Sequence, residues 1–206
     1  MNIAKLKQAE SAFLAMYPQG MQSPEMIEIG KKHKMAGLVA FSHNSFSKEA
    51  LMDTAAAAEN MVRMVSRSTM VSLFEKPKFR DAVRGMGADT QADLANSLYE
   101  FLHGDEAAGF HQMLGILEMH KLAKWTLMTV WRCYYYPQTD LLYKPTTVKN
   151  VIHHFELDGL IYKPRPSYDF FVGYRSAIAE MKKSVDSSLA TSSPEFSGFL
   201  MMAMEL

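Results

Sequence analysis

Apolar residues recur along most of the chain at the spacing of one helix face. Over residues 2–16, Ile3, Leu6, Ala9, Phe13 and Leu14 fall near one side of a helix, with Lys5, Lys7, Gln8 and Glu10 elsewhere. Tyr17-Pro18-Gln19-Gly20 predicts a turn. Ser23-Pro24-Glu25 predicts the next helix start. Serine can satisfy free backbone N–H groups, proline suits the first helical position, and glutamate sits well at the positive helix end. This helix should stop near Lys34, because Lys31, Lys32, His33 and Lys34 suit a negative helix end. Residues 35–46, with Gly37 and Asn44, read as a small mixed segment, and Ser47 opens a longer helix to about Val65. Further helices are predicted near 77–84, 89–103, 105–119 and 121–136. Short links make the last three antiparallel neighbours.

Pro137 ends that run. Leu141-Leu142-Tyr143-Lys144-Pro145 reads as extended, Thr146-Thr147 opens a helix to about Leu157, and Leu160-Ile161-Tyr162-Lys163 reads as a short strand. A short two-stranded element near 141–163 is the expectation. Ser167 caps a helix to about Lys183, residues 186–193 form a polar linker, and Ser193-Pro194-Glu195 starts a last helix. The fold class that follows is mainly α: a multi-helix domain over 1–185, then a linker and docking helix over 186–206. A change of charge near residue 120 marks a sub-boundary.

Composition adds limits. Of 206 residues, 48% are hydrophobic and 21% charged, so a sizeable core can form and wholesale disorder is not expected. The 22 basic and 22 acidic residues cancel, so the molecule as a whole does not attract polyanions. The distribution is uneven: residues 121–183 hold 10 bases against 5 acids, whereas residues 184–206 hold three acids and no base. The lone Cys133, inside Trp131-Arg132-Cys133-Tyr134-Tyr135-Tyr136, excludes an internal disulfide and reads as a small core residue. The first residues lack the pattern of a secretory leader, and no apolar run approaches a membrane span. A cytoplasmic location and no membrane partner are therefore expected.

Two sets of residues invite a functional reading. The first is basic and aromatic: Lys144, Lys149, Tyr162, Lys163, Arg165 and Tyr168, in a 144–175 region. Cations neutralise phosphates and tyrosines stack on bases, so this stretch is a candidate nucleic-acid surface. Its helix-then-strand order resembles the winged-helix DNA-binding domains, but only one helix lies between the candidate strands where that family has two. The bland alternative is a solvated basic face over aromatic core residues. The second set is Phe196, Phe199, Leu200, Met201 and Met204 in a terminal helix rich in methionine and phenylalanine. Such a surface suits docking, onto its own domain by default, or onto a second copy or another protein.

Glu100 and His103, three apart, match half of a carboxylate-bridged metal motif, with His111 and Glu118 on the next helix. A second Glu-x-x-His is missing from the sequence, so no metal or other cofactor is expected. An enzyme of unrecognised type would need Glu100, His103 and His111 to meet in a pocket. Glycine-rich phosphate loops, dinucleotide fingerprints and nucleophile elbows are absent from the sequence. The readings are thus a non-enzymatic nucleic-acid-binding or regulatory protein, a protein–protein adaptor, or an enzyme assembled from distant residues.

Overall fold

The computed structural model describes residues 1–205. Among them the chain forms eleven α-helices: α1 (Ile3–Met16), α2 (Pro24–Lys32), α3 (Met35–Ser45), α4 (Thr54–Arg67), α5 (Glu75–Gly85), α6 (Ala88–His103), α7 (Glu106–Met119), α8 (Trp125–Tyr135), α9 (Pro145–His154), α10 (Tyr168–Lys183) and α11 (Ser193–Ala203). Side-chain caps mark four of these starts, whereas Ser23 and Ser167, expected as caps, make no such hydrogen bond. Asn2, Asp53 and Asp105 accept hydrogen bonds from the backbone N–H of Lys5, Ala56 and Ala108, and so cap α1, α4 and α7. Ser192 caps α11 by accepting from the Glu195 N–H, and its hydroxyl donates to the Glu195 carboxylate at 2.8 Å.

The mainly helical class holds, but the two-stranded element near 141–163 is not formed. No strand occurs among the described residues. The backbone groups of these segments find partners on α8 instead of on each other. Tyr143 N–H donates to Thr129 Oγ1 at 3.0 Å, and the Lys163 carbonyl accepts from Trp125 Nε1 at 2.8 Å. Residues 35–45, expected as a mixed segment, form α3, because packing against α8 outweighs the weak helix propensity of Gly37, Asn44 and Ser45. The helix expected from Ser47 begins at Thr54, behind the Asp53 cap.

Helix α8 is the hub. All ten residues from Trp125 to Tyr134 are buried, so its apolar and aromatic surface faces neighbours on every side. It touches α3, α6 and α7, and Trp131 lies between Phe46 and Phe79 at ring distances of 6.0 and 5.8 Å. Helices α6 and α7 form a tight hairpin, and α4 packs on α5 and α6. At the other end α11 lies on α1, with the Phe13 and Phe199 rings edge to face at 5.2 Å. Buried apolar side chains from Leu6 to Ala203 form one continuous cluster.

Ser42 is fully buried in α3, and its hydroxyl has no hydrogen-bond partner among the described residues. A buried hydroxyl left unpaired loses hydration without return. Ser42→Ala is therefore expected to raise stability by about 1 kcal/mol, read as a higher urea midpoint at unchanged slope.

Candidate functional site

The predicted candidate residues separate when the chain folds. Arg165 is neutralised by a two-pronged pair with Glu118, at 2.6 and 3.1 Å. Tyr168 donates to Glu106 at 2.9 Å and packs on Phe110 and Phe171. Tyr162 packs on Trp125 and Phe170, with the Lys149 ammonium 5.9 Å from its ring centre. Both tyrosines are thus engaged at the edge of the core. Lys144, Lys149 and Lys163 have no carboxylate within 4.0 Å among the described residues.

In the terminal helix, Phe196, Phe199 and Leu200 are completely buried in the chain's own core. Met204 is half-buried and Met201 is exposed. Docking of α11 onto its own molecule occupies three of the five residues singled out there.

Glu100, His103 and His111 do not meet. Glu100 accepts from the Asp105 N–H at 2.8 Å, His103 Nε2 lies 2.8 Å from the Phe46 carbonyl, and His111 Nδ1 lies 2.7 Å from the Ala107 carbonyl. No group of three or more His, Cys, Asp and Glu side chains is placed to hold a metal ion among the described residues. Burial pushes the Cys133 thiol up to about 12, with Asp140 adding to the effect, so it is not a thiolate at neutral pH.

Two arrangements were hidden in the sequence. The first is a group of four charges, with Arg132 and Asp140 buried and Glu106 and Arg175 half-buried. Arg132 of α8 donates from Nε to Asp140 at 2.9 Å and from Nη1 to the Phe101 carbonyl at 2.6 Å, and its Nη2 lies 3.0 Å from Glu106. Arg175 of α10 donates to both oxygens of Glu106 at 2.7 Å, and Thr139 donates to Asp140. Two cations and two carboxylates cancel, and their hydrogen-bonding capacity is well used. Burial alone would raise the Glu106 carboxyl. The hydrogen bond from Arg175 and the Arg132 charge outweigh it and hold Glu106 below its ordinary 4.5. The group joins α7, α8, α10 and the 137–140 turn, and reads as a structural clamp.

A carboxylate with a depressed folded value stabilises above its unfolded value, and that contribution fades as pH falls through the folded one. The Glu106 contribution is level from about pH 7 to 5 and fades below about 4.5, so the fall of the urea midpoint on the acid side is expected to be shallower in Arg175→Met than in the unaltered protein.

The second arrangement is a cavity of about 350 Å³ between α2, the start of α3, the start of α9 and α11. Six methionines line it: Met21, Met26, Met35, Met70, Met201 and Met202. Met21 and Met26 are buried, whereas Ile29 and Met201 are exposed and mark its open side. Polar groups are few. His33 Nδ1 is tied to Thr69 at 2.9 Å, and burial, helped by the Lys144 charge, holds the imidazole below its ordinary 6.5. The Glu195 carboxylate is held by the Thr191 and Ser192 hydroxyls. Lys144 is the lining cation without a carboxylate partner among the described residues, and it opens α9, whose start has no side-chain cap. Thr147, in the first turn of α9, also lines the cavity.

The cavity joins Lys144 from the basic set with Met201 from the terminal set. Its other walls come from residues 21–35, 70 and 142, too far apart in sequence for any local pattern to connect. A second, more open hollow of about 510 Å³ lies beside Arg175, Lys182 and Lys183. Those cations are engaged, by Glu106, the Gln138 carbonyl and Glu180. Comparison of the chain with protein-family models, with curated proteins and with solved structures finds no match.

Proposed function

We propose that the chain is a non-enzymatic binding protein for a small amphipathic carboxylate, whose apolar body enters the methionine-lined cavity while its acid group meets Lys144. The observation that carries this reading is the cavity itself: about 350 Å³, six methionines, and a cation at the positive start of a helix with no carboxylate partner among the described residues. Thioether side chains are flexible and polarisable, so the lining adapts to related apolar shapes and selects a class of ligand. A carboxylate on Lys144 would also complement the free N–H groups of α9.

The nucleic-acid reading of residues 144–175 has less support. Arg165 is paired, and Tyr162 and Tyr168 pack on core aromatics instead of offering free faces. The adaptor reading retains Met201 and part of Met204, with Phe196, Phe199 and Leu200 already seated.

Calorimetric titration with decanoate, dodecanoate and the matching alcohols tests the proposal. Binding should strengthen with chain length. Lys144→Met should weaken the acids by about tenfold or more, the scale of one charge-assisted hydrogen bond, and leave the alcohols nearly unchanged. Gly198 lines the same cavity, and a Cβ there would meet only Met21, at 4.0 Å. Gly198→Leu should therefore fold normally and bind neither. Failure of all these acids to bind, or wild-type binding by Gly198→Leu, would overturn the reading.

A further inference from the structure

Four large apolar side chains stand far out in solvent on segments that meet around the end of α8 where it begins. Leu73 is 78% exposed, Phe74 81%, Met119 71% and Ile161 75%. They sit on three segments fastened around the start of α8. Thr126 donates to Glu75 at 2.9 Å, which ties down the 72–75 turn. Trp125 Nε1 donates to the Lys163 carbonyl at 2.8 Å, and Arg165 pairs with Glu118 beside Met119. None of these four side chains lines the methionine cavity.

The same segments carry Lys76, Lys78, Lys121, Lys124 and Lys163, and none has a carboxylate within 4.0 Å among the described residues. Their own acids are Glu75, which accepts from Thr126, Glu118, which holds Arg165, and Asp158, which is exposed in the turn before Ile161. Positive charge is therefore in excess around a set of protruding apolar tips.

We propose that this end docks on an anionic membrane surface, with Leu73, Phe74, Met119 and Ile161 entering the boundary between headgroups and acyl chains and the five lysines facing acidic lipids. Apolar anchors on loops and a helix end, with lysines on the same segments, match that boundary, where apolar insertion and attraction to acidic headgroups act together. Nucleic acid fits less well: its binders offer flat stacking faces, whereas three of the four tips are aliphatic or thioether chains. Surface docking needs no spanning segment, and no described helix is long and apolar enough to cross a membrane.

Co-sedimentation of the full chain with phosphatidylcholine vesicles, with and without phosphatidylserine, at low and high salt, tests this. Binding should rise about tenfold or more with the acidic lipid and weaken with salt. Leu73→Ser/Phe74→Ser should lose the apolar part, and Lys121→Glu/Lys124→Glu the charge dependence. Circular dichroism should show both variants folded, since all four positions are exposed. Absence of binding, or full binding by Leu73→Ser/Phe74→Ser, would overturn the proposal. Two further results would also overturn it. One is salt-sensitive binding of RNA or DNA, without vesicle binding, that survives the serine variant. The other is a lipid-free dimer that the serine variant dissociates, since the tips would then be a contact between copies.

Discussion

Asp140→Ala is expected to cost about 3–5 kcal/mol of folding free energy, the scale for removing one partner of a buried ion pair. Asp140 is buried and accepts from Arg132 at 2.9 and 3.3 Å, from Thr139 at 2.7 Å and from Arg175 at 3.3 Å. Its loss leaves two guanidinium groups around Glu106 alone, one of them deep in the core. Arg132 has little freedom to escape, because its guanidinium lies 4.9 Å from the Tyr136 ring centre and 5.4 Å from that of Phe101. The double change Arg132→Met/Asp140→Ala removes both charges, so it should cost clearly less than the sum of Arg132→Met and Asp140→Ala taken singly. Urea unfolding of the four proteins checks this. Additive costs would mean that the two side chains do not work as a pair.

The second large effect sits where α6 and α7 touch. A Cβ on Gly109 would run into the Phe101 backbone N, with the Phe101 Cα and the Glu100 carbonyl carbon both at 2.7 Å. The obstacle is helix backbone, so a side-chain rotation cannot make room. Alanine is the better helix former by about 1 kcal/mol. Even so, Gly109→Ala should lower stability by about 1–3 kcal/mol net or more, because forcing the hairpin apart strains the packed core around it. Gly115 is the internal control. It lies on the same helix with nothing within 4 Å of its would-be Cβ, and Gly115→Ala should stabilise by about 0.5–1 kcal/mol. Opposite signs for one substitution on one helix would establish the close approach. Stabilisation at both positions would contradict it.

What the sequence disclosed depended on whether the signal was local. The starts near residues 2, 24 and 105 and the apolar periodicity of α1, α6 and α7 are nearest-neighbour chemistry, and the folded chain follows them, although Pro24 and not a Ser23 side-chain bond marks the start of α2. Helix α3 was obscured because Gly37, Asn44 and Ser45 argue against a helix locally, and only the approach of α8 reverses the balance. Leu141–Lys144 and Leu160–Lys163 look like strands because short runs of bulky apolar and aromatic residues suit extended chain, whether or not it pairs. Thr129 and Trp125 supply partners that no local pattern announces.

The charge clamp did leave a trace. Arg132 stands alone in an apolar, aromatic helical run, and a charge placed there needs a buried partner. Its partners Glu106 and Asp140, and the Arg175 that shares them, come together only after folding. The cavity left less. Seventeen methionines signal an adaptable surface, but nothing along the chain distinguishes the six that converge from the rest.

Those methionines also provide the most direct test of ligand binding in the cavity. With methyl-labelled methionine, dodecanoate can be titrated while the methyl resonances are followed by nuclear magnetic resonance. Saturable shifts should appear at Met21, Met26, Met35, Met70, Met201 and Met202, which line the cavity, with Met61, Met113 and Met128, elsewhere in the core, unmoved. Absence of shifts, or shifts spread over methionines outside the cavity, would contradict the account.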